Sequence, residues 1–321
     1  MPVKYLILTI LFISSLFSNS SLVDIYRENG INAVEKILNA SLSKKSYWDK
    51  FLENKDVSNG YYESINNILV CTKNMQNISI YDTKSNNKLL YTSSVIIGEK
   101  EGNKQKEGDL KTPLGAYKLT RKLTKLDPFY GPLALVTSYP NKFDKSKKKT
   151  GSGIWIHGVP ENKKRDPYTK GCIALDNDNL KELYTKINMK KSLLIIKDNK
   201  NDKVKKEDIS NVLAQLFSWK KAWGESNLNN YLSFYSREFK KSNGTGIKQF
   251  KRYKKRVFAK NEEKTIIFSK INIIPYPNDL DKNMFKITLY EKYHTKSYRF
   301  VGNKELYLEL IDNKIKILFE G

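Results

Sequence analysis

The spacing of the apolar residues changes along the chain, and this change limits the folds available to it. Over residues 21–67, Val23, Ile25, Tyr26, Ile31, Val34, Ile37 and Leu38 recur every three or four positions, followed by Tyr47, Trp48, Phe51 and Leu52. That is helical periodicity, and Asn59-Gly60 breaks it. From Ile68 the period falls to two, as strands require. The segments Ile78 with Ile80 and Tyr81, and Leu89-Leu90-Tyr91, flank a turn at Ser85-Asn86-Asn87 and predict a hairpin. Further strands are expected at Val95-Ile96-Ile97-Gly98, Tyr117-Lys118-Leu119, Leu133 to Val136, Ile173 to Leu175 and Leu193 to Ile196. One helix, carrying Leu180, Leu183 and Ile187, interrupts them. The polar stretches 99–111 and 141–150 are expected as exposed loops. Many short strands with one helix predict a β-sandwich.

A charged, apolar-poor linker at 198–208 separates this domain from a third region. There Val212, Leu213, Leu216, Phe217, Trp219, Trp223, Tyr231, Tyr235 and Phe239 give apolar helical faces, and strands follow from Thr265 to Phe319. Helices followed by a strand meander predict an α+β cone, in which a curved sheet wraps the helices. At 321 residues the chain has room for both domains. Fold class is therefore α+β: a helical arm at 21–67, a mostly-β sandwich at 68–197 and an α+β cone at 209–321. The arm cannot bury its own apolar stripe. It must dock on a neighbouring domain or on a second copy, and homodimerisation through the arm is the expectation.

The chemistry concentrates in Gly153-Ile154-Trp155-Ile156-His157-Gly158 and Tyr168-Thr169-Lys170-Gly171-Cys172-Ile173-Ala174-Leu175. The chain has two histidines and two cysteines, and one of each falls here, fifteen positions apart. A thiol becomes a nucleophilic thiolate at neutral pH when a base takes its proton, and histidine is the usual base. Strand alternation puts Trp155 and His157 on one face and Ile154 and Ile156 on the other. Gly171 permits a tight backbone whose N–H groups, with that of Cys172, could face an oxyanion. Spacing alone is equally compatible with a buried cysteine and an unrelated turn histidine.

The two segments resemble the signature of the YkuD-type L,D-transpeptidase family: His-Gly, a variable loop, then Ser/Thr-x-Gly-Cys-hydrophobic-Arg/Asn. Thr169, Gly171, Cys172 and Ile173 match, and Ala174 stands where that family usually has arginine or asparagine. Upstream, Lys111-Thr112-Pro113-Leu114-Gly115-Ala116-Tyr117 is similar to the family's Thr-Pro-x-Gly-x-Phe/Tyr segment. The resemblance implies Cys172 as nucleophile, His157 as base and the Gly158 carbonyl as the group orienting the imidazole. It implies an oxyanion hole from the N–H groups of Gly171 and Cys172. Lys170, Trp155 and Arg165 are expected substrate-binding residues, and Thr169 is expected either to contact substrate or to orient the Cys loop. In the third region, Trp219-x3-Trp223 with Tyr231, Tyr235 and Phe239, and a Gly302-x-Lys304-x-Leu306 hairpin, resemble the nuclear-transport-factor-like (SnoaL-type) fold. Lys304 and Glu320 are polar residues that either reach a pocket in that cone or face solvent, and His294 is expected on its surface.

The whole plan resembles the L,D-carboxypeptidases that shape helical epsilonproteobacterial cells by trimming terminal D-alanine from tetrapeptide stems. Peptidoglycan stem peptides are the expected partner. The alternatives are an L,D-transpeptidase forming cross-links or anchoring proteins, and a non-catalytic wall scaffold. Lys4 ahead of the apolar run 5–17 reads as an export signal over 1–20, giving a periplasmic expectation, with an uncleaved anchor as the competing reading. The formal charge of +24 suits an acidic polymer, but no nucleic-acid motif accompanies it and nucleic acid is not an expected partner. No metal-ligand spacing occurs and no cofactor is expected. Cys71, after Ile68-Leu69-Val70, is expected as a buried free thiol.

Overall fold

The computed structural model describes residues 21–161, 166–199 and 204–321. The expected export signal and Arg165 lie outside the described residues. The first described elements are two helices, α1 (Leu22–Leu42) and α2 (Lys45–Phe51), and α1 is interrupted at Gly30, whose φ is 75°. Then come β1 (Tyr61–Tyr62), β2 (Asn67–Thr72), β3 (Asn77–Asp82), β4 (Lys88–Ser94), β5 (Gly115–Leu123) and β6 (Ala134–Thr137). Helix α3 (Lys142–Ser146), β7 (Trp155–His157), β8 (Ile173–Ala174), α4 (Asn177–Thr185) and β9 (Ser192–Lys197) complete the middle domain. The C-terminal domain is α5 (Lys206–Gly224), α6 (Leu228–Ser233), β10 (Tyr235–Lys241), α7 (Ile247–Ala259), β11 (Thr265–Pro275), β12 (Met284–His294), β13 (Arg299–Ile311) and β14 (Lys314–Glu320).

The middle domain is a sheet of eight strands in the order β4-β3-β2-β9-β5-β6-β7-β8. Strands from both halves share one core, with Leu69, Ile78 and Leu194 meeting Leu135, Ile156 and Ile173. Alternate residues of β2 and β9 point the other way: Ile68, Val70, Leu193 and Ile195 pack on Ile274, Tyr276, Tyr307 and Phe319 of the C-terminal sheet. Burial on both faces explains why these strands read as unbroken apolar runs. Cys71 faces the inner core and is fully buried, and burial pushes its thiol up to about 12.

The C-terminal sheet runs β1-β11-β12-β13-β14-β10 and wraps α5. Its first strand, Tyr61–Tyr62, comes from the segment assigned to the arm, just past the Asn59-Gly60 break. The arm also docks within the chain. Trp48, Leu52 and Val57 enter the C-terminal core, and Trp48 stacks on Phe217 at 5.5 Å. Residues 42–62 of the arm thus take the first of the two expected options, docking on a neighbouring domain, where Trp48 and Leu52 leave water. Leu22, Val23, Tyr26, Ile31 and Leu38 of α1 stay exposed.

Four other expectations change. Tyr235 and Phe239 lie on β10 rather than on a helix, and Gly302, Lys304 and Leu306 sit within the single long strand β13 rather than in a hairpin. The lysine-rich stretch after Asn141 contains α3, and its Phe143 is buried, stacked on Tyr307 at 4.7 Å. The 99–111 loop is not simply solvated. Asn103 and Lys104 are buried, and Asp109 accepts from Lys104 Nζ and from the N–H groups of Gln105, Lys106 and Lys111.

Candidate active site

His157 ends β7, and the next strand in the sheet, β8, begins one residue after Cys172. The two strands are parallel, with Ile156 opposite Ile173 and His157 opposite Ala174. This pairing brings together residues that the intervening loop separates in sequence. Ile154 and Ile156 are buried in the core, and Trp155 lies half-buried on the opposite side. His157 is 1% exposed, and its Nδ1 lies 2.7 Å from the Gly158 carbonyl. A carbonyl oxygen can only accept, so Nδ1 carries a proton, and in the neutral ring the lone pair is on Nε2. The Cys172 thiol is half-buried and donates to the Gly153 carbonyl at 3.3 Å.

The turn after His157 is held tightly. Gly158 N–H donates to the Tyr130 carbonyl, and Asn177 bonds both the N–H and the carbonyl of Val159, at 2.9 and 3.0 Å. A side chain at Gly158 would collide with Asn177 Oδ1. The Tyr130 ring meets His157 edge-on at 5.0 Å and Trp155 at 5.2 Å. Sequence reasoning overlooks Tyr130 and Asn177. No spacing rule links either to His157, because both approach through the tertiary fold.

Thr169, open to either orienting the Cys loop or contacting substrate, is buried. Its hydroxyl donates to the Cys172 carbonyl at 2.7 Å and accepts from Gly171 N–H at 3.0 Å. Two internal bonds make it an organiser of the nucleophile loop. The Gly171 N–H is therefore engaged within the loop itself. Gly171 has φ 125°, and a Cβ there would sit 2.7 Å from the Lys111 carbonyl, so backbone and space both demand glycine. Lys170 is exposed beside the loop. Ala174 is fully buried, exchanging two backbone hydrogen bonds with Ile96.

The expected strand at 95–98 is instead part of a strap over residues 96–100. Ile96 pairs with Ala174, Gly98 with Thr169, and Lys100 with Lys111. Gly98 N–H donates to Thr112 Oγ1 at 2.8 Å, so the Thr-Pro segment braces the strap and the strap braces the nucleophile loop.

The C-terminal domain holds a separate cavity of about 560 Å³. Lys304 Nζ lies 2.8 Å from Glu320 and 3.3 Å from Glu291, the latter without hydrogen-bond geometry. Lys254, unremarked in the sequence among the many cations of α7, reaches the same cavity. Burial lowers its ammonium to about 8. Burial opposes ionisation of Glu320, but the Lys304 and Lys254 cations outweigh it and hold the carboxyl at about 2. His294 ends β12 at the surface. Among the described residues, no cluster of three or more histidine, cysteine or acidic side chains could hold a metal ion.

Comparison with known proteins follows the same division. Residues 66–204 match the L,D-transpeptidase catalytic domain, and residues 211–321 match the Cds6 C-terminal NTF2-like domain. The helical cell shape determining protein Pgp2 from Campylobacter jejuni is 40% identical with a TM-score of 0.80, over 87% of this chain and 99% of that one. This chain belongs to the same family. It joins an L,D-transpeptidase catalytic domain to an NTF2-like C-terminal domain. Bd1075 of Bdellovibrio bacteriovorus aligns at 25% identity and a TM-score of 0.68, over 83% of this chain and 96% of that one. YafK of Escherichia coli is 32% identical over 83 residues, 26% of this chain, and the match spans 30% of that protein. Membership makes the chain a cysteine-dependent peptidoglycan-modifying enzyme.

Proposed function

We propose that the protein is a peptidoglycan L,D-carboxypeptidase that removes terminal D-alanine from tetrapeptide stems and so influences cell shape. The observation carrying the hydrolytic reading is Ala174. Where the family pattern puts arginine or asparagine beside the nucleophile, this chain has a methyl group sealed in the sheet. The acceptor side thus lacks that polar side chain, and water is the simpler second substrate. Similarity to Pgp2, a protein named for determining helical cell shape, supports the biological role.

In this reading His157 Nε2 takes the Cys172 proton, and the thiolate attacks the carbonyl carbon of the bond before D-alanine. The tetrahedral oxyanion faces backbone N–H at the loop, including that of Cys172. Collapse breaks the C–N bond as His157 returns the proton to the leaving amine. Water, deprotonated by His157, then cleaves the thioester and frees the tripeptide. The Gly158 carbonyl keeps the imidazole in the required tautomer throughout. Trp155 and Lys170 flank the thiol as substrate contacts, Lys170 toward stem-peptide carboxylates.

Purified protein given tetrapeptide muropeptides as sole substrate should accumulate tripeptide and D-alanine, separated by mass. Cross-linked dimer exceeding tripeptide would move the assignment to transpeptidase and leave the thiolate chemistry intact. The periplasm is the proposed location. The exposed apolar residues of α1 are the proposed dimer contact: Val23→Glu with Ile31→Glu should turn a dimer into a monomer in light scattering. A wild-type monomer ends that idea.

A further inference from the structure

We propose that Asp279, on the turn between β11 and β12 of the C-terminal domain, is a positioning residue for the nucleophile loop of the catalytic domain. The proposal rests on the reading of Cys172 as nucleophile and adds a dependence of that site on the second domain. Asp279 accepts from Asn103 Nδ2 at 3.0 Å and from Gln105 Nε2 at 2.8 Å, 176 and 174 positions away in sequence. The other end of the Asn103 amide, Oδ1, accepts from Leu114 N–H at 2.8 Å in a buried bond. An amide with its carbonyl held inside and its NH2 held by a carboxylate has one orientation, so Asp279 orders Asn103 and Asn103 orders the Thr-Pro segment.

From there the structure reaches the nucleophile by two routes. The Lys111 carbonyl occupies the space where a side chain at Gly171 would go, so movement of Lys111 is felt one residue from Cys172. Thr112 accepts from Gly98, and Gly98 pairs with Thr169, whose hydroxyl bonds the Cys172 carbonyl. Little along either route is slack. Asp109 and Lys104 close the 103–111 loop on itself, and Lys73 Nζ fixes its start through the Gly102 carbonyl at 2.6 Å. Tyr276, three residues before Asp279, anchors the same turn by accepting from Asn141 Nδ2 at 2.9 Å. The C-terminal domain thereby acts on the chemistry without touching substrate.

The test uses the full chain and reads the thiol directly. Cys71 is fully buried with its thiol pushed up to about 12, so iodoacetamide reports on Cys172 alone. Asp279→Ala should slow alkylation at neutral pH by about threefold to tenfold, since small displacements of a reacting group are costly. It should also speed amide exchange at Leu114 and lower kcat on tetrapeptide by a like factor with KM unchanged. Asp279→Asn, which keeps one carbonyl acceptor, should recover part of the rate. An Asp279→Ala alkylation profile that superimposes on wild type overturns the proposal, as does a slowing that merely follows a lowered melting temperature. If alkylation responds while wild type leaves tetrapeptide uncut, the brace stands and the carboxypeptidase reading falls. If wild type cuts tetrapeptide and alkylation does not respond, the brace falls and the carboxypeptidase reading stands.

Discussion

The catalytic cleft and the cavity of the C-terminal domain are built on opposite principles. Around Cys172 most of the shaping groups are main-chain or uncharged: the carbonyls of Gly153, Gly158 and Lys111, the glycine at 171 and the Thr169 hydroxyl. Around Lys304 they are side-chain charges, with Glu320, Glu291 and Lys254 lining one cavity. A backbone frame holds geometry but is intolerant of a single added carbon. A buried charge cluster tolerates shape change but not the loss of one partner, because the remaining ion is left uncompensated. One site should therefore fail in rate and the other in stability.

The largest effect should come from the thiol itself. Cys172→Ala is expected to lower D-alanine release by at least about 10³-fold with folding intact, as loss of a covalent nucleophile does. Cys71→Ala should retain wild-type turnover, and the opposite pattern in the two variants would reverse the assignment. Next is the frame. Gly171→Ala forces a Cβ against the Lys111 carbonyl at positive φ, which should cost about 10²-fold in rate and about 1–3 kcal/mol in stability. A normal rate in that variant would show that the nucleophile loop is pliable and the comparison false.

In the cavity, Lys304→Met should destabilise the fold by about 3–5 kcal/mol in urea while Cys172 alkylates at the wild-type rate. A slowed thiol would mean the two sites are one cooperative unit. The smallest effect is an acid limb. The Glu320 carboxyl is depressed from its ordinary 4.5 to about 2, so the folded state binds its proton less readily than the unfolded one. Its stabilisation is present above about 4.5 and is lost as pH falls toward 2. Glu320→Gln should flatten that part of the stability–pH curve. An unaltered acid limb would shift the acid sensitivity to another carboxylate.

Much of the molecule is legible in residue order. His157, Gly158, Gly171 and Cys172 sit in short segments whose local conformation is fixed by glycine and strand alternation. The apolar runs of β2 and β9 likewise announce strands. Thr169 cannot be placed in this way, because a hydroxyl beside a nucleophile reads the same whether it faces substrate or its own loop. Helix α7 escapes notice because its Phe250 and Phe258 are isolated among cations, and the buried Lys254 has no local signature. The arm misleads for a related reason: a stripe shows that something covers it but not what.

By itself, the sequence determined most of the local elements, the two-domain plan and the motifs that carry the thiol and the imidazole. These depend on contacts a few residues apart or on motifs whose spacing is chemically meaningful. Tertiary structure alone decided that Trp48 and Leu52 belong to the C-terminal core, that the Lys111 carbonyl closes the space beside Gly171, and that Asp279 reaches Asn103 across the domain boundary. Such contacts arise from which faces two sheets bury against each other, and linear order carries no record of that.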